Sequence, residues 1–97
     1  MWIPAKPETM LDGLALFITD EVDSGNIAPE LESSLLAKID AALSALERGN
    51  PNAALVAVNE LRALIKQIEA QVPQKITPEA ADWIIQRAND IIAELGT

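Results

Sequence analysis

Apolar residues recur every three or four positions in four separate stretches of the chain, and each stretch ends at glycine or proline. Met10, Leu11, Leu14, Phe17, Ile18 and Val22 make one stripe, the spacing of an amphipathic helix with one buried face. It predicts a first helix over about residues 8 to 24. Gly25 supplies the stop, because it enters the left-handed region without a Cβ penalty. Pro29 is tolerated in a first helical turn, and Glu30 and Glu32 favour the positive end of the helix dipole there. The second stripe, Leu31, Leu35, Ile39, Ala42, Leu43 and Leu46, predicts a helix from Pro29 to Gly49, with Arg48 suited to its last turn.

Asn50-Pro51 reads as a tight restart, Asn50 as cap and Pro51 at the first helical position. Ala54, Ala57, Val58, Leu61, Leu64, Ile65, Ile68 and Val72 continue as a third stripe, closed by Pro73 because the residue before proline disfavours helical angles. Ile76-Thr77-Pro78-Glu79 is a helix start with Thr77 as cap and Ile76 placed to pack on Ala81. Ala81, Ile84, Ile85, Ala88, Ile91, Ile92 and Leu95 then form the fourth stripe, up to Gly96. No stretch alternates long enough for a strand. The expected fold is therefore all-α: about four antiparallel amphipathic helices, as an up-down bundle or two stacked helical hairpins. Leu61 and Ile85 are expected in its core. No residue-level repeat is evident in the chain. Residues 1–7, with Pro4 and Pro7, are expected to be a mobile lead-in, and residues 8–97 a single domain.

Composition narrows the function. The 97 residues suffice for one core. Only Trp2, Phe17 and Trp83 are aromatic, so Leu, Ile, Val and Ala must build that core. Fifteen acidic against seven basic side chains give a formal charge of −8, which repels nucleic acid and anionic membranes. The longest apolar run, Ala53 to Val58, is too short to span a bilayer. Met1-Trp2-Ile3-Pro4-Ala5-Lys6 lacks the apolar segment of a signal peptide. The absence of cysteine removes disulfides and thiolate ligands without fixing a compartment.

Candidate chemistry is sparse. Histidine and cysteine, the usual general base and thiol nucleophile, are absent. Ser34 and Lys38 stand four apart on one helix, a nucleophile-and-base spacing that needs a desolvated lysine and an oxyanion hole to operate. The plainer reading is a helix serine beside a surface lysine. The acidic group around the first link, with Asp20, Asp23 and Glu30 as candidate metal ligands, has the oxygen chemistry calcium prefers. Aligning Gly25 with the glycine of a calcium loop places Val22 and Leu31 where ligands belong, so the pattern fails, and a solvated acidic corner is the plainer account. Phe17 reads as a packing residue. Trp83 has two readings: closure of the bundle against the first or third helix, or a partner contact together with Arg87, whose guanidinium can stack on the indole one turn away. No catalytic residue and no cofactor are expected.

The residues at and around the links carry a family resemblance. Ser24-Gly25-Asn26-Ile27, Ser34-Leu35-Leu36-Ala37-Lys38-Ile39, Gly49-Asn50-Pro51-Asn52-Ala53-Ala54, Leu61-Arg62-Ala63-Leu64-Ile65, Lys75-Ile76-Thr77 and Ala88-Asn89-Asp90-Ile91-Ile92, in this order and spacing, resemble the FIMAH-type helical domain. That module occurs mostly at the C-terminal ends of secreted or surface-attached bacterial multidomain proteins. The chain departs from the family pattern at Leu64, where phenylalanine is frequent, and at Val72-Pro73, where a glycine often follows the third helix. The resemblance implies an extracellular or cell-surface accessory module with no catalytic positions. Its expected partners are proteins or neighbouring domains of the same chain, and its expected state is a monomer or weak homo-oligomer.

Overall fold

The structure is a computed structural model that describes residues 6–49 and 51–95. It contains four helices: α1 (Pro7–Asp23), α2 (Glu32–Arg48), α3 (Ala53–Gln71) and α4 (Pro78–Leu95). The all-α bundle expected from the periodicity is what forms. Leu11, Leu14 and Ile18 of α1, Leu35, Ile39 and Ala42 of α2, Leu61, Leu64 and Ile68 of α3, and Ile84, Ala88 and Ile91 of α4 are fully buried in one cluster. Leu64 fills the core without the aromatic. Among the described residues no polar or charged residue is buried as a whole, so the core holds no side-chain hydrogen-bond network.

The boundaries follow local chemistry. At the end of α1 the N–H of Asn26 donates to the Glu21 carbonyl (2.9 Å) and that of Gly25 to Val22 (3.1 Å), with Gly25 at φ +87°. This is the Schellman arrangement, which satisfies the last free carbonyls and depends on a residue that tolerates positive φ. Gly49 ends α2 at φ +66° in the same region. Thr77 caps α4, its Oγ1 accepting from the Ala80 N–H (3.3 Å).

Some expectations shift. α1 begins at Pro7, one residue inside the expected lead-in. Pro29–Leu31 is a short 3-10 turn preceding α2 instead of its first α-turn. Pro51 lies in the turn and not at the first position of α3, which starts at Ala53. The proposed cap at Asn50 and the stop at Gly96 lie outside the described residues, as does Trp2. Ile85 is only partly buried, and Ile84 is the core residue there.

Each helix packs on two neighbours: α1 on α2 and α4, and α3 on α2 and α4. The α1–α2 and α3–α4 links meet at one end, where Ile27 and Ile76 form an antiparallel bridge. The Ala28 N–H donates to Lys75 (2.8 Å) and the Thr77 N–H to Asn26 (2.9 Å). Both links at one end fix an up-down-up-down order.

That bridge also exposes an internal two-fold relation, correcting the absence of a repeat. Ile27-Ala28-Pro29-Glu30 and Ile76-Thr77-Pro78-Glu79 exchange equivalent hydrogen bonds. At a constant offset, Leu11, Leu14, Ile18 and Val22 of the α1 strip correspond to Leu61, Leu64, Ile68 and Val72 of the α3 strip. At an offset one residue shorter, Leu35, Ile39 and Ala42 correspond to Ile84, Ala88 and Ile91. The protein is two like helical hairpins facing each other, so the α1·α4 seam is the counterpart of the α2·α3 seam.

Candidate interaction surface

The two seams are closed differently at equivalent positions. In the α2·α3 seam Gln67 and Ser34 meet through short polar side chains: Gln67 Nε2 donates to Ser34 Oγ (2.9 Å), and Lys38 Nζ donates to the same oxygen (3.3 Å). In the α1·α4 seam the corresponding residues are Phe17, Trp83 and Arg87. The Phe17 and Trp83 rings stack with centroids 3.8 Å apart and planes inclined by 18°. The Arg87 guanidinium lies over the indole, 5.6 Å from its centroid, and pairs with Asp90 at 3.3 Å. The α2·α3 contact is more extensive than the α1·α4 contact.

Both sequence readings of Trp83 thus have a structural counterpart. It closes the bundle against α1, and it stays 38% exposed, a large apolar side chain at the surface. Phe17 is half-buried beneath it. On the outer crest of α1, Leu16 is 67% exposed. Arg87 Nε is buried with no hydrogen-bond partner among the described atoms, so the guanidinium is held by stacking and one carboxylate.

Charge is divided between the same two halves. α1 holds Glu8, Asp12, Asp20, Glu21 and Asp23 and no basic residue, while α4 holds Glu79, Asp82, Asp90 and Glu94 against Arg87. The surplus on these two helices equals the net charge of the whole chain, −8. In α2 and α3, Lys38, Arg48, Arg62 and Lys66 nearly balance Glu32, Asp40, Glu47, Glu60 and Glu69. The net negative charge is therefore carried by the two helices that flank Trp83, with Asp12 lining the α1·α2 groove beside Asp40 and Asp82 the α3·α4 groove beside Glu69.

The other sequence candidates are not gathered into sites. Among the described residues no three acidic side chains are placed to share a metal ion. Glu30 instead pairs with Lys75 across the joined links (2.9 Å), and Glu21 Oε1 accepts from Asn26 Nδ2 (3.2 Å). Asp20 and Asp23 remain exposed. Ser34 and Lys38 do touch, Lys38 Nζ lying 3.3 Å from Ser34 Oγ, and the same hydroxyl exchanges hydrogen bonds with the Gln67 amide across the seam. Gln67, which reasoning along one helix missed, is the residue that completes the cluster.

No curated protein and no solved structure matches the chain. The FIMAH domain matches residues 11–93, from the first buried leucine of α1 to the last turn of α4. By that match, which covers all four helices and both joined links, the chain belongs to the FIMAH domain family.

Proposed function

We propose that this domain is a non-catalytic accessory module that mediates protein association within a secreted or surface-attached multidomain protein. Its family membership supports the accessory role, and the observation that carries the association is the exposed Trp83 on its Phe17 platform. An aromatic held rigid by stacking loses little side-chain entropy on binding, which suits it to anchor an interface. Trp83 and Arg87 are the proposed partner contacts.

Generic ester, peptide and glycoside substrates test the non-catalytic half: no turnover is expected above that of a Ser34→Ala, Lys38→Ala variant. Turnover abolished by that pair of substitutions overturns it. For the association, chemical cross-linking of the full polypeptide carrying the domain is expected to join it to a neighbouring domain or a second protein. A domain that tumbles independently by NMR relaxation and forms no links is a spacer and not an interaction module.

A further inference from the structure

The internal two-fold supplies a control that is rare in a single chain, because each position on one half shows what the fold requires of its counterpart on the other. Ser34 and Gln67 show that a seam closes at this level without aromatic rings. Lys66 stands where α1 carries the exposed Leu16, and Ala63 stands where α1 carries Gly13. A glycine inside a helix costs roughly 0.5–1 kcal/mol relative to alanine. Gly13 gains nothing for the isolated fold in return: a Cβ built there meets nothing within 4 Å. The α1·α4 side has therefore departed from its counterpart in three ways. α1 is more apolar at its crest, it lacks a side chain at Gly13, and α1 and α4 together carry the net charge.

Gly13, Leu16 and Asp20 follow one another at i, i+3 and i+7 on the exposed crest of α1, Leu16 on the side that borders Leu36 and Asp40 of α2, with Phe17 turned from them toward Trp83. On α4, Glu79, Trp83 and Asp90 share the side that meets α1. Resting on the interaction reading above, we propose that this face docks a basic polypeptide segment, its backbone passing over Gly13, an apolar side chain lying against the Trp83 edge, and lysine or arginine side chains meeting Asp20, Glu79 and Asp90. Charge complementarity selects the occupant. A second copy of this face brings the same carboxylate surplus and is repelled, as are anionic polymers. A neutral sugar has no free indole face to stack on, since Phe17 and Arg87 occupy the ring.

The test uses the whole chain with Trp2→Phe, so that Trp83 is the single indole, and three probes: a lysine- and leucine-containing peptide, a lysine-only peptide and a glutamate-containing control. The lysine–leucine peptide is expected to change Trp83 emission, to bind more tightly than lysine alone, and to weaken with added salt. Gly13→Leu covers the flat strip without changing charge or removing a packed side chain, and is expected to weaken binding roughly tenfold or more. Ala63→Leu, which places the same side chain at the counterpart position, leaves binding unaltered. Equal effects of the two substitutions, no effect of either, or no binding at low ionic strength overturns the proposal. Cross-links from the full polypeptide that fall on α2 and α3 would sink it while leaving the interaction module intact.

Discussion

At the scale of single residues the fold is maintained by a few positions of known kind. Leu61 is 1% exposed in the middle of the core, and Leu61→Ala is expected to cost about 2–5 kcal/mol, the range for truncating a buried leucine, measured by urea unfolding. Thr77→Ala removes the acceptor for the Ala80 N–H and should cost about 1 kcal/mol. In a domain of this size that is a fall of roughly 4–8 °C in melting temperature. Gly13→Ala has the opposite sign: with open space at the Cβ position, it is expected to stabilise by about 0.5–1 kcal/mol. A destabilised Gly13→Ala variant would mean that the isolated domain needs that glycine. Trp83 was legible as an aromatic at the edge of an apolar stripe, and its stack with Arg87 follows from i, i+4 spacing. Its pairing with Phe17 was not, because nothing within one helix states which neighbour it meets.

Among elements, the helices were legible because period, caps and stops agree: Gly25 and Gly49 end α1 and α2 at positive φ, and Thr77-Pro78 opens α4. Disagreement arose where two proline rules compete. Pro29 and Pro51 both fit a first helical position, yet one begins a 3-10 turn and the other stays in the link, since proline also suits the second position of a turn. The internal repeat is faint in the sequence because its identity lies in buried positions and in Ile27-Ala28-Pro29 against Ile76-Thr77-Pro78, while the surfaces have diverged and the two offsets differ by one residue. The joined links lead to a test at this scale. Ile27 is fully buried and Ile76 is 1% exposed, so Ile76→Ala is expected to destabilise by about 2–5 kcal/mol despite lying in a loop. A loss below about 1 kcal/mol would show that the links pack independently of the core.

For the whole molecule, charge is the variable the apolar pattern leaves free. With the surplus of carboxylates confined to α1 and α4, self-repulsion acts across the seam where contact is less extensive, and salt screens it over a Debye length of about 10 Å at 0.1 M. The melting temperature is therefore expected to rise from low to physiological ionic strength. A melting temperature that falls or stays flat would assign the charge no part in stability. The candidate surface was only partly readable for the same reason: the sequence states how many carboxylates there are, while their segregation emerges once the helices are paired. The up-down order has a mechanical side as well. Because both links share one end, the first turn of α1 and the last turn of α4 lie toward the other, on helices that pack against each other. Tension between the chain ends then loads the α1·α4 seam as a zipper, breaking its contacts in succession from the open end while the α2·α3 hairpin bears none of the first load. In such a geometry the domain yields at low force and lengthens, with the Phe17–Trp83 stack as the tooth the zipper must pass.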